Sequence, residues 1–124
     1  MKFFKCKKCA NMVIKLVEGP CTPACCGEEM DEIIPGTVDA AKEKHVPAVA
    51  VEGNKVSVKV GEVEHPMMEK HFIQWILLET EQGFQVKKLD PEKKPEAEFL
   101  VAEGDKAVAA YESCNLHGIW KKEI

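Results

Sequence analysis

The sequence predicts an all-β protein: a small unit stapled by metal, followed by a β-sandwich. Three observations lead there. Four cysteines stand in two pairs, Cys6/Cys9 and Cys25/Cys26, close to the start of the chain. The segment that carries them, residues 1–36, is too short for a hydrophobic core to sustain it, so a staple is required. Residues 37–124 break into short apolar stretches divided by turn residues, the pattern of a sandwich.

Taken in order, Met12–Val17 alternates and stops at Gly19-Pro20, a turn. Pro35-Gly36 marks the break between the two parts, and Thr37–Lys44 reads as a short capped turn of helix. Ala48–Val51 and Lys55–Val60 flank Gly53-Asn54, a hairpin signal. Phe72–Glu79 and Phe84–Leu89 are separated by Gly83, and Pro91 and Pro95 bracket a loop. Ala97–Val101 and Ala107–Tyr111 lie on either side of Gly104-Asp105, and Ile119-Trp120 closes the chain. Neither an internal repeat nor a low-complexity tract interrupts this series.

Composition narrows the function. A formal net charge of −4 over 124 residues gives no basic footprint for nucleic acid. No apolar run approaches the roughly 20 residues that span a bilayer. Met1-Lys2-Phe3-Phe4-Lys5-Cys6 has the charge of a signal peptide without its apolar region, so a cytoplasmic protein is expected. In a reducing compartment paired cysteines read as metal ligands rather than disulfides, and the adjacent Cys25 and Cys26 cannot bridge each other without strain.

Two constellations carry the chemistry. Cys6, Cys9, Cys25 and Cys26 have the form of a four-thiolate tetrahedral site, which suits zinc or iron alike. The C-x-x-C presents two sulfurs with backbone amides aimed at them, whereas the adjacent pair forces unequal angles. Cys21 reads as a spare thiol beside this site. The second constellation is His45, His65, His71, Cys114 and His117. Any one of these histidines alone would be read as a surface or hydrogen-bonded residue, and Cys114 alone as a small buried hydrophobe. A spacing of six suits His65 and His71 to an extended or looped segment, in agreement with Pro66. Cys114 and His117, followed by Gly118, suit a tight turn that aims both at one metal. Met67, Met68, Trp75 and Trp120 are assigned to packing.

The joint pattern identifies a family. Cys6-Lys7-Lys8-Cys9, Cys25-Cys26-Gly27-Glu28, Glu43-Lys44-His45-Val46-Pro47, His65-Pro66-Met67 and Cys114-Asn115-Leu116-His117-Gly118 resemble desulfoferrodoxin, the two-iron form of superoxide reductase, along essentially the whole chain. The resemblance implies a desulforedoxin-like domain over 1–36, with one iron on Cys6, Cys9, Cys25 and Cys26. It implies an immunoglobulin-like sandwich over 37–124, with a second iron held equatorially by His45, His65, His71 and His117 and axially by Cys114. It further implies catalytic roles for Glu43, as sixth ligand of the oxidised site, and for Lys44, beside the bound oxygen species. Superoxide is then the substrate and hydrogen peroxide the product, with a rubredoxin-like electron donor and a homodimeric assembly. The competing readings are a non-catalytic electron-transfer protein of the rubredoxin type and a structural zinc module, which has no use for the second constellation.

Overall fold

The computed structural model describes residues 1–124, which divide into two compact units, Met1–Ile34 and Pro35–Ile124. In the first unit, β1 (Phe3–Lys5) lies between β2 (Met12–Ile14) and β5 (Asp31–Ile33), antiparallel to both. β3 (Ala24–Cys25) and β4 (Glu28–Glu29) form a separate hairpin. Its two-residue loop is Cys26-Gly27, with φ of +53° and +80°. Positive φ at both central residues is what the right-handed twist of a tight hairpin demands. The core of this unit is small: Phe4, Cys6 and Met30, with Cys25 against them. Two of these four residues are cysteines of the first constellation, so the metal set completes the core as well as cross-linking it.

The second unit is the expected sandwich. One sheet has the order β10-β7-β6, from β6 (Pro47–Glu52), β7 (Lys55–Val60) and β10 (Glu96–Leu100). The other has the order β12-β11-β8-β9, from β8 (Ile73–Thr80), β9 (Phe84–Lys88), β11 (Ala107–Cys114) and β12 (Gly118–Glu123). All neighbouring strands are antiparallel. Val56, Val58 and Val60 alternate inward from one sheet to meet Ile76, Leu78, Ala110 and Cys114 from the other. No helix is long and apolar enough to cross a membrane.

Two expectations on element bounds are corrected. β11 runs to Cys114 rather than Tyr111, because Glu112 and Ser113, polar as they are, are fully buried in the strand. The helix is one turn, α1 (Lys42–His45), preceded by Ala41 with no side-chain cap. It ends at Val46, whose extended backbone is the one favoured before a proline.

Register shows why ligands gather at one end of the sandwich. Pro47 pairs with Val60, and Cys114 pairs with both Ile73 and Gly118. The start of β6, the end of β7, the start of β8 and the β11–β12 turn therefore share one rim. The segments 41–46, 61–72 and 115–117 that connect there carry His45, then His65 and His71, then His117.

Candidate metal centres

In the first unit, the Cys6 N–H donates to the Asn11 carbonyl at 2.8 Å, closing the loop around Cys9. Within that loop the N–H groups of Lys8 and Cys9 donate to Cys6 Sγ at 3.3 and 3.4 Å. These two amides, that of Cys9 foremost, pull the Cys6 thiol down to about 6. Crowding by the other sulfurs, chiefly Cys9, pushes Cys26 up to about 12. Four thiols this close cannot all ionise without a cation among them. Cys9 Sγ lies 3.5 Å from Cys25 Sγ, and Cys25 Sγ 3.9 Å from Cys26 Sγ. A tetrahedron with metal–sulfur bonds of about 2.3 Å has edges of about 3.8 Å. The sulfurs thus already sit at ligand spacing, and all six cysteines of the chain are free of disulfides. Cys21, exposed, is outside the group.

In the second unit the four imidazoles form a closed ring. Centroids follow one another at 4.6 Å (His45–His65), 4.7 Å (His65–His71), 5.2 Å (His71–His117) and 5.0 Å (His117–His45). Each ring stands at 77–88° to the next. The nitrogens point inward: His45 Nε2 is 3.2 Å from both His65 Nε2 and His117 Nδ1. Metal–nitrogen bonds of about 2.1 Å in a square would set neighbours about 3.0 Å apart. Cys114 Sγ, off the ring, is 3.7 Å from His117 Nδ1, and all five donor atoms lie within 4.8 Å of one another.

Hydrogen bonding shows what the centre of that ring requires. His45 Nδ1 bonds the Ala41 carbonyl and His65 Nδ1 the Pro66 carbonyl, each at 2.7 Å. A nitrogen facing a carbonyl must carry the proton, so in both neutral rings Nε2 is a bare lone pair. Two lone pairs then face each other at 3.2 Å. Burial holds His65 down to about 4 and lowers His45 and His71 too, so these rings stay neutral at pH 7. His71 Nε2 is buried with no partner at all. A metal cation at the centre satisfies these atoms together. Burial raises the Cys114 thiol, while the amides of Leu116 and His117 lower it by donating to the sulfur.

Backbone geometry fixes the ligand-bearing turns. At Gly118, where φ is +75°, a Cβ would stand 3.1 Å from Val38 Cγ2, so glycine closes the Cys114–His117 turn. A Cβ on Gly61 would meet the carbonyl oxygens of Glu43 and Val46 at 2.7 and 2.9 Å. That contact seats α1, which carries Glu43 and Lys44 on an exposed turn directly before buried His45. Lys44 is near enough for its charge to disfavour protonation of His71. Glu43 lines an open cavity of about 510 Å³ with Lys42, Val46, Pro47 and Lys122, and none of the five donors lines it.

The sequence alone assigns Asn115 no role within its motif and Trp120 to packing. Asn115 bonds to the chain on both sides of His71. Trp120, buried, donates from Nε1 to the His117 carbonyl at 2.9 Å and lies 5.1 Å from the His45 ring. Asn115 falls inside the Cys114–Gly118 motif, which was the available signal, and Trp120 stands two residues beyond it.

Residues 37–123 match the family model described as Desulfoferrodoxin. The chain belongs to the desulfoferrodoxin family. It is 46% identical over 123 residues to a desulfoferrodoxin of Syntrophotalea carbinolica, covering 99% of this chain and 96% of that one. Among solved structures, the superoxide reductase of Treponema pallidum superposes with a TM-score of 0.83 at 41% identity, over 98% of both chains. A one-iron superoxide reductase of Giardia intestinalis matches with a TM-score of 0.57 at 35% identity, over 67% of this chain and 98% of its own. With the family established, the two donor sets are those of two mononuclear iron centres, one of four cysteines and one of four histidines and a cysteine.

Proposed function

We propose that this desulfoferrodoxin is a superoxide reductase, which converts superoxide to hydrogen peroxide with one electron and two protons at the histidine–cysteine centre. The observation that carries the reading is the ring of four inward-facing imidazole nitrogens with a thiolate off the ring. Five donors in this arrangement exceed what tetrahedral zinc takes up and leave room for one further ligand. Iron held by these residues would supply the electron. His45, His65, His71, His117 and Cys114 would hold that iron, and Cys6, Cys9, Cys25 and Cys26 the other.

The side chains account for the rest. Four neutral imidazoles and one thiolate cancel only one of the two charges of a ferrous ion, so the centre attracts an anion. The Cys114 thiolate donates electron density toward the metal, as thiolates do in haem sites. Lys44 adds positive field on the exposed turn and offers a proton to the departing product. Glu43, on the same exposed turn, would supply a carboxylate to the oxidised centre by moving from the cavity that it lines. A rubredoxin-like protein returns the electron, and the enzyme works as a cytoplasmic homodimer. Six cysteines without a disulfide suit a reducing compartment.

The test is pulse radiolysis of the fully reduced, iron-loaded protein. Superoxide should disappear in a second-order reaction with the histidine–cysteine centre and yield peroxide without dioxygen; dioxygen release would mean dismutation, and no reaction would refute the proposal. Cys114→Ser should abolish the reduction even with iron retained, because a serine oxygen is a harder and less donating ligand.

A further inference from the structure

The four histidines are held in two different ways. His45 and His65 are buried, and each has its second ring nitrogen on a backbone carbonyl. His71 and His117 are half-exposed. Ligating histidines generally depend on such outer partners for orientation, so something else must aim His71. Asn115 is placed to do so. Its Nδ2 donates to the Lys70 carbonyl at 2.9 Å, and its Oδ1 accepts the Phe72 N–H at 2.9 Å. Its own N–H donates to the Phe72 carbonyl at 3.2 Å. One side-chain amide therefore grips the peptide units on either side of His71, from the residue that directly follows Cys114.

We propose that Asn115 is a positioning residue that locks His71 to the Cys114 strand end, so that thiolate and imidazole are presented to the metal as one rigid piece. Apart from that side chain, the chain near His71 is held by the short bridge between Met68 and His71, whose N–H and carbonyl exchange bonds at 2.9 and 3.1 Å, by the Ile73 N–H on Met67 Sδ at 3.2 Å and by the Asn115 backbone bond to Phe72, none of which grips the Lys70 carbonyl. The clamp needs a donor and an acceptor on two separate atoms, and among side chains of this size only an amide carries them so. The role rests on the reading of the site as four histidines and one cysteine around iron, though not on the identity of the substrate.

The experiment uses full-length, iron-loaded Asn115→Ala and Asn115→Asp. Aspartate keeps the volume and the acceptor but sets an oxygen against the Lys70 carbonyl. Iron release from the histidine–cysteine centre to a ferrous chelator should speed up in both, on the order of 10- to 100-fold, the usual scale for losing an outer-shell partner. The visible band of that centre should shift, while the absorption of the four-cysteine centre stays as it was. Asn115→Asp matching the parent in release rate and band would show that only volume matters and would overturn the proposal. Hydrogen exchange resolved to the Phe72 amide in the unmutated iron protein gives a test that no folding defect can obscure: strong protection is expected, and free exchange overturns it. Chelation and exchange need no superoxide, so a failure here is distinct from a failure of the reductase reading.

Discussion

Glu112 is fully buried in β11, and neither of its carboxylate oxygens has a hydrogen-bond partner. By strand alternation it faces the core with Ala110 and Cys114, with Ile76 and Trp120 beside it in register. Burial alone pushes its carboxyl up to about 9, so it is a neutral acid at pH 7. The unfolded chain releases that proton near the ordinary carboxylate range, whereas the folded one keeps it until about 9. Between those limits the native state binds more protons, so folding stability falls as pH rises, by about 1.4 kcal/mol per pH unit. Glu112→Gln removes this contribution to the slope. Denaturant titrations of the iron-loaded parent and variant across this range should diverge steadily toward alkaline pH, and parallel curves would contradict a protonated Glu112. The sequence hid this residue, because Glu112-Ser113 reads as the polar end of a strand when it is in fact the buried continuation that carries Cys114 to the rim.

At the scale of elements, the strands were the readable part. Gly53-Asn54 is the two-residue turn between β6 and β7, with Glu52 paired to Lys55 and Gly53 at φ +60°. The alternation of Val56, Val58 and Val60 matches their burial. The ligands were legible through their joint spacing and motifs, but what seats them was not. A register shift between Ser113 and Cys114 against β8 sets Cys114 opposite Ile73, and such irregularities next to sites re-aim side chains. Nothing in the letters marks a shift of this kind. Cys26-Gly27 as a hairpin turn was equally hidden, since only the fold reveals that an adjacent cysteine pair straddles a strand end. Gly61 belongs with these. Its missing Cβ lets the chain pass against the backbone of α1, and the Val63 N–H donates to the Glu43 carbonyl at 2.9 Å. Gly61→Ala puts a methyl group against backbone oxygens, which have no rotamer with which to yield. Stability should fall by about 1–3 kcal/mol, as overpacking costs. The displaced α1 turn should also slow superoxide reduction; an unchanged melting temperature and rate would mean that the turn has slack.

At the scale of the molecule, the two centres draw on separate thiolates, so Cys9→Ser should abolish the absorption of the four-cysteine centre and leave superoxide reduction largely intact. Loss of both in a folded protein would count against independent centres. Charge sets the harder problem. Superoxide is an anion, and the chain as a whole carries a formal charge of −4. A ferrous centre with four neutral imidazoles and one thiolate has a formal charge of +1, so attraction near the site must overcome repulsion from the rest of the molecule. Lys44 stands on the exposed turn before His45, and its charge reaches His71. An ammonium group there concentrates anions at the mouth, and fields of this kind alter association rates by about 10- to 1,000-fold. Salt weakens them as the screening length falls to about 8 Å at physiological ionic strength. Lys44→Ile should therefore slow the bimolecular reaction of the reduced enzyme by roughly tenfold or more, at the lower end of that range. The visible spectrum should barely move, because Lys44 is outside the donor set. The slope of rate against ionic strength decides the matter. The parent should slow as salt is added, since attraction at the mouth is being screened. The variant should slow less, or even accelerate, because what remains to be screened is the repulsion of an acidic protein. Pulse-radiolysis rates for both proteins over one salt series would show this, and equal rates with equal slopes would remove Lys44 from the mechanism.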